Sequence, residues 1–487
     1  MKYKELFILI LVCYISRIPQ LISPDLMLDG DECVVAVMAR HMLEGREFPV
    51  YFYGQPYGFS FIEVLFIDLH YFFFGISDVT VKLGMLMMWT LGILLFYKTL
   101  LMIRLKNDWI PFCIALIFAS APVWAVWSMK ARGGYLTAFL FTNLILFLLF
   151  RNQDTQRRWL WILIGILTAI VFEGQALWLP GLLPIIVYQL YRSGNKADII
   201  KFVGGIAIGA ITFFLIKRNL MNVWQPEVFD LKSGILHRII DLPRRIYVNF
   251  SGSYYVAWNV EGHPVTYLWA GCMTALLFLA LLVLMPLLVS RAASPYFYVF
   301  GLSFIFSLSY IFVLGDNAAR YLLPLFGNLL LFIAILTDQV NFKKLIIALT
   351  CFFVLAGTFS ICTFYKFRFK AHNKENILHL IDELKERNIY HVFCGNGLLQ
   401  WQIIFYSNEE ITTRFSTWGE RYPKNLRAVN EAFYSKKHRI GVVGTINERS
   451  PYWKKFVNVD DQFYINEDPS EILLHNYGFT VERPLPD

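Results

Sequence analysis

Apolar runs of about 17 to 25 residues recur along this chain from residue 5 to residue 363. Wound as an α-helix, a run of that length spans the ~30 Å of hydrocarbon in a bilayer. Lipid offers the backbone no hydrogen-bond partner, so runs of this kind cross as helices. The recurrence therefore predicts a polytopic α-helical membrane protein over residues 1–363. The remaining 120 or so residues, 364–487, are polar and mixed and predict a soluble domain. Charge agrees: 16% of residues are Asp, Glu, Lys or Arg, whereas soluble domains carry about a quarter.

The formal net charge of +8 does not form one patch. Its basic excess sits in short loops between apolar runs, as retention of Lys and Arg on the cytoplasmic side requires, so nucleic acid is excluded as a partner. The seven cysteines are scattered, mostly within apolar runs and without metal-type spacing, and read as buried thiols. The opening MKYKELFILILVCYIS has the look of a signal sequence, but no small-x-small cleavage motif follows it. An uncleaved first span is expected.

The loop charges also predict the topology. If every apolar run crossed, Arg104, Lys106, Arg151, Arg157, Arg158, Arg192 and Lys196 would lie outside, against the positive-inside rule. Removing one crossing, residues 58–76, returns all of them to the cytoplasm. That run carries Glu63, Asp68 and His70, and one Asp at a span centre costs roughly 2.5–3.5 kcal/mol. The expectation is eleven spans and one non-spanning apolar helix. The first outer loop (23–78), the turn SMKARGGY (128–135), the long outer loop (218–264), the turn LGDNAAR and the tail then share the outer face.

The first outer loop contains DGDECVVAVMARHMLEG (29–45). Asp29 and Glu32 have capping-box spacing, Gly45 ends the helix, and Val34, Val35, Met38 and Met42 form an apolar stripe suited to an interfacial helix. Punctuation explains Asp29 but not Asp31 beside Glu32, since desolvation penalises anions at a membrane surface. A carboxylate there can bind a cation or take the proton of an attacking hydroxyl.

DECVVAVMARHMLEG, YFYGQPYG (51–58), FFGISDVTVKLG (73–84), ARGGY and RYLLPLF (320–326) together resemble the membrane glycosyltransferases of the GT-C type. The branch resembled includes dolichyl-phosphate-mannose protein mannosyltransferases and the lipid A aminoarabinose transferase. The likeness covers most of residues 1–340 in layout. It implies transfer of a sugar from a polyprenyl-phosphate donor to a glycan, lipid or protein acceptor, within membrane lipid. It also implies two helices lying along the membrane in the first outer loop. The Asp of the family's Asp-Glu pair matches Asp31, making it the general base with Glu32 as its neighbour. Many members carry an acid in the second outer loop; here Lys130 and Arg132 stand there, which points to donor-phosphate binding.

Arg320, where a span meets the outer headgroups, is the first choice for the phosphate, the alternative being an interfacial anchor. Gln55, Tyr57, Glu63 and Tyr321 are substrate-binding candidates. Glu261 and His263 in WNVEGHP are candidate ligands for a divalent metal ion, the one cofactor considered. GILHRIIDLPRRIY reads as a basic helix at headgroup level.

In the tail, NILHLIDELKERN reads as a helix, IYHVFCG and RIGVVGTI as buried strands, and EILLHNYGFTVERPL as a helix followed by a strand, giving an α/β domain. FCGNGLL lacks a full GxGxxG. Since the last span runs outward, the domain is expected outside the membrane, in a setting read as a bacterial inner membrane. Competing readings are a lipid or polysaccharide transporter or flippase and a polymerase or ligase of another fold. Repeated halves and acids deep in several spans, the marks of a transporter, are missing from the sequence.

Overall fold

The computed structural model describes residues 3–218, 235–252, 254–255, 258–259, 263–290, 295–314, 319–339, 342–363, 373–416, 420–446, 457–460 and 462–481. Among these residues, seven helices are long and apolar enough to cross a membrane: Asp78–Met102, Tyr135–Gln153, Leu160–Ser193, Lys196–Lys217, Pro264–Val283, Arg320–Thr337 and Lys343–Thr363. Ile110–Ala119 and Pro122–Met129 make one more if taken as a single span bent by 49°. Pro122 accounts for the bend, since it has no N–H for the ladder and its ring crowds the preceding turn.

Leu160–Ser193 covers two of the runs read from the sequence. Gln175 breaks it with an extended backbone (φ −155°, ψ 105°). Pro180 then sits in the first turn of the Leu179–Ser193 helix, where a missing N–H costs nothing. The N-terminal helix, Tyr3–Ile15, has 13 residues and gives way to a short Ile18–Leu21 turn, so it is shorter than the run read from the sequence.

The Phe61–Phe74 helix has 14 residues, about 21 Å at 1.5 Å per residue, too short to cross the hydrocarbon. Gly75, at φ 78°, ends it. Ser77 and Thr80 then cap the 25-residue Asp78–Met102 helix reciprocally. The two helices pack closely: a Cβ on Gly84 would lie 2.9 Å from the Phe66 carbonyl oxygen.

The Gly30–Leu43 helix starts at the capping box read from the sequence, with Asp29 accepting from the Glu32 N–H and Glu32 accepting from the Asp29 N–H. Its setting differs from an interfacial helix with one face open. Cys33 to Ala39 are all buried, because both the Phe61–Phe74 helix and the Gly397–Tyr406 helix pack against it. The approach is close enough that a Cβ on Gly30 would lie 2.4 Å from the Leu398 carbonyl oxygen.

Residues 373–481 carry a five-stranded sheet in the order Thr412–Arg414, Ile389–Cys394, Arg439–Thr445, Phe463–Glu467, Val457–Val459. The first three strands are parallel and the remaining pairings antiparallel. Ile377, Leu380, Leu384, Val392, Ile403, Val443 and Ile465 form a core between sheet and helices. Glu471–Asn476 ends by Gly478, at φ 83°, and most of the strand expected after it lies outside the described residues.

Ion pairs fasten this sheet-bearing segment to the first loop. Glu409 receives hydrogen bonds from Arg46 Nη1 (2.8 Å) and Nη2 (2.7 Å) and meets His41 Nε2 at 3.0 Å. A carboxylate can only accept, so His41 Nε2 carries the proton. Glu47 accepts from Tyr422 (2.6 Å) and from Lys424.

Candidate active site

Three acids of one helix start meet three different fates. Lys130 Nζ pairs with Asp29, and Lys82 Nζ pairs with Glu32, whose other oxygen is 3.6 Å from Lys130. All four side chains are sealed from solvent. Asp31, between them in sequence, points elsewhere: Oδ2 lies 2.9 Å from Arg132 Nη2, and Oδ1 accepts from Arg421 Nη1 at 2.9 Å. The Asp31 side chain is 11% exposed, against 25% for Arg132 and 27% for Arg421, so the arginines reach the opening first. Burial pushes the Asp31 carboxyl up, but Arg132 and Arg421 outweigh it and hold it well below the usual carboxylate range.

Arg132 stands in a turn that its glycines make possible. Gly133 and Gly134 have φ 54° and 88°, a region that costs a residue with a Cβ. Gln175 Nε2 donates to the Gly133 carbonyl at 2.9 Å. Glu63, fully buried, accepts from the Leu136 N–H at 3.1 Å, just past the turn. Burial pushes its carboxyl up to about 7, against the lowering effect of backbone N–H groups including those of Gly134 and Leu136.

Arg421 comes from the C-terminal segment and rests on the first loop. Its guanidinium carbon lies 5.1 Å from the centre of the Phe52 ring. Gly54, at φ 72°, leaves room for its backbone; a Cβ there would lie 2.6 Å from the Arg421 Cα. Tyr57 lies in the electrostatic field of Arg421, Asp31, Arg320 and Arg132. Arg320 donates to the Tyr321 hydroxyl at 3.1 Å and interacts with Tyr135 and Arg132.

The structure thus brings Asp31, Arg132, Tyr57, Arg320 and Tyr321 into one neighbourhood, with Gln55 in the adjoining turn, where its N–H donates to the Phe52 carbonyl at 3.1 Å. Glu32 and Lys130 lie beneath it as buried partners. The contacts of His263 are with other residues, its ring lying 5.0 Å from that of Phe359. Glu261 lies outside the described residues. Among the described residues no group of three His, Cys, Asp or Glu side chains could hold a metal ion. The acids beside Asp31 face lysines and arginines, a donor set that does not suit a divalent cation.

Sequence reading missed Arg421 and Lys82. Lys82 had a signal, a charge near the start of a long apolar helix. Arg421 had none, being 390 residues from Asp31.

A helical membrane bundle with a structured first loop and a C-terminal sheet-bearing segment is the architecture of the GT-C glycosyltransferases, and this chain has that fold. It is similar to ArnT from Cupriavidus metallidurans bound to undecaprenyl phosphate (TM-score 0.60, 12% identity), over 96% of this chain and 98% of that one. It is also similar to the oligosaccharyltransferase AglB from Archaeoglobus fulgidus in complex with an inhibitory peptide and a dolichol-phosphate (TM-score 0.50, 11% identity), over 92% of this chain and 70% of that one. A third likeness is to the Archaeoglobus fulgidus oligosaccharyltransferase in complex with Zn and sulfate (TM-score 0.50, 11% identity), over 91% and 68% of the two chains. No family model matches the sequence, and neither does any curated protein. With its apolar helices and this fold, the chain is a multi-pass membrane protein.

Proposed function

We propose that this protein is an inverting glycosyltransferase that moves a sugar from a polyprenyl-phosphate donor to a glycan, lipid or protein acceptor. The observation that carries the reading is one carboxylate, Asp31, held between Arg132 and Arg421 with Arg320 close by. Among Asp29, Asp31, Glu32, Lys82, Lys130, Arg132, Arg320 and Arg421, five cations stand against three acids, an excess that suits an anionic ligand. The shared fold with ArnT bound to undecaprenyl phosphate supports a polyprenyl phosphate as that ligand.

Asp31 takes the proton of the acceptor hydroxyl as the hydroxyl oxygen attacks the anomeric carbon. The bond from that carbon to the phosphate oxygen breaks, and polyprenyl phosphate leaves with the electron pair. It leaves as an anion and needs no proton, so one base and positive charge suffice. Arg132 and Arg320 stabilise the phosphate, and Tyr57, Gln55 and Tyr321 bound the space for sugar and acceptor. Lys130, Lys82 and Glu32 hold the helix start that presents Asp31, and Glu63 holds the turn that presents Arg132. A divalent ion, as in the zinc-bound oligosaccharyltransferase, would compete with these cations, and no step is assigned to it.

In this reading the membrane part, residues 1–363, crosses eleven times. The first loop and an extracytoplasmic α/β domain (364–487) face outward from a bacterial inner membrane, an orientation supported by the basic loops. The test is release of polyprenyl phosphate from a polyprenyl-phosphate sugar by purified protein. Asp31→Asn is expected to lower kcat by roughly 10²- to 10⁴-fold. Full activity in that variant, or a product with retained anomeric configuration, would sink the reading.

A further inference from the structure

A carboxylate with a guanidinium on each oxygen has its charge neutralised and is a poor base. Asp31 is in that state: Arg132 occupies Oδ2 and Arg421 occupies Oδ1, both at 2.9 Å. Each oxygen keeps a lone pair toward which an acceptor hydroxyl can point, but the carboxylate regains the basicity to take its proton only after an arginine has withdrawn. We propose that Asp31 stands in for the donor phosphate in the free protein, and that Arg421 and Arg132 pass from the carboxylate to the phosphate when the donor binds. Arg421 is then a phosphate-binding residue supplied by the C-terminal segment. The inference rests on the transferase reading for the role of the freed carboxylate, not for the exchange itself.

Three observations separate this pair of contacts from the others around it. The Asp29–Lys130 and Glu32–Lys82 pairs have side-chain exposures of 0% to 3% and give an incoming ligand no access, whereas about a quarter of each arginine is open. An arriving anion therefore meets the arginines before Asp31. Arg421 also has support independent of Asp31, with its guanidinium over the Phe52 ring and its backbone against Gly54. It can change partner by a rotation of the side chain while its segment stays docked. Lastly, a guanidinium offers five N–H donors in a planar fork that matches phosphate, and the Arg421–Asp31 bond uses one nitrogen.

The exchange links two steps of the proposed reaction. Donor arrival removes both cations from Asp31, and the carboxylate regains basicity as the phosphate gains the charge it needs on departure. Without donor the base stays neutralised. Acceptor or water is then not activated in an empty site.

Linkage makes the idea measurable without turnover, because competition for the arginines must be reciprocal. Affinity for undecaprenyl phosphate would be measured in detergent for wild type, Asp31→Asn, Arg421→Ala, Arg421→Lys and the Asp31→Asn/Arg421→Ala double variant, with undecaprenol as the ligand lacking phosphate. Asp31→Asn is expected to bind undecaprenyl phosphate about fivefold tighter or more, because the competing charge is gone. Arg421→Ala is expected to bind roughly tenfold weaker, the size of a lost charge-assisted hydrogen bond, and Arg421→Lys in between. In the double variant the gain from Asp31→Asn should shrink, and undecaprenol should respond to none of the changes. Unchanged or weaker binding by Asp31→Asn, or an equal response with undecaprenol, overturns the exchange. If Arg421→Ala fails to fold, Arg421→Lys with wild-type affinity and wild-type response to Asp31→Asn overturns it as well. Sugar transfer measured in parallel keeps the two ideas apart. The affinity pattern without transfer refutes only the transferase reading, and transfer without the pattern refutes only the exchange.

Discussion

Lys82 donates to Glu32 inside the protein, with exposures of 2% and 0% for the two side chains. Lys82 belongs to the long Asp78–Met102 helix and Glu32 to the capping box that starts the Gly30–Leu43 helix, so the pair ties a membrane helix to the helix that presents Asp31.

Removing one partner leaves a buried charge without its counterion, which costs about 3–5 kcal/mol. Lys82→Met is therefore expected to lower the thermal unfolding temperature sharply in detergent. Adding Glu32→Gln should recover a large part of the loss. A single variant that melts like wild type would show that the pair is not sealed.

Gly30 is fixed by its neighbour. With the Leu398 carbonyl oxygen only 2.4 Å from where a Cβ would stand, Gly30→Ala must push the Gly397–Tyr406 helix away. Overpacking of this kind costs roughly 1–3 kcal/mol. The helix belongs to the segment that brings Arg421 to Asp31, so faster proteolysis of the segment and weaker binding of undecaprenyl phosphate are expected together.

Glu63 gives stability a pH dependence of defined sign. Burial raises its carboxyl from the ordinary 4.5 to about 7. The folded protein thus holds this proton more tightly than the unfolded chain. The contribution is complete below pH ~4.5 and is lost as the pH rises through about 7. Glu63→Gln should flatten the fall in melting temperature between those limits. An unchanged slope in the variant would place the titration elsewhere.

Glu409 has the opposite sign. Burial pushes its carboxyl up, but hydrogen bonds from His41 and Arg46 prevail and bring it down to about 2. Its contribution to docking is present above the unfolded value of 4.5 and disappears as the pH falls through about 2. At neutral pH, Glu409→Gln is expected to cost roughly 1–2 kcal/mol, the range for hydrogen bonds to a charged group after allowance for partial exposure. Hydrogen exchange across residues 397–414 is the measurement, and protection equal to wild type would reject the latch.

Part of this candidate site is legible in the sequence, and its far half is not. ARGGY and the DGDEC helix start singled out Arg132 and Asp31, which do meet. Lys130, in the same turn, is expected from the sequence to face a ligand but turns inward to Asp29, because packing seals that side of the helix start. The apolar stripe of the Gly30–Leu43 helix suggests a surface helix, but residues off the stripe, such as Cys33 and Ala36, are buried as well. In the C-terminal segment the strands Ile389–Cys394 and Arg439–Thr445 follow the apolar patterns IYHVFC and RIGVVGT.

The sequence by itself determined the apolar helices, the short Phe61–Phe74 helix and the Asp29–Glu32 capping box. Each depends on groups within one turn or one run of chain: apolar length against bilayer thickness, or a side chain reaching a backbone N–H three residues away. Only the tertiary structure decided which cation neutralises which acid, Lys130 on Asp29, Arg132 and Arg421 on Asp31, Lys82 on Glu32. In a buried setting charge pairing follows distance in space, with weak screening, and that distance is set by which helices pack together.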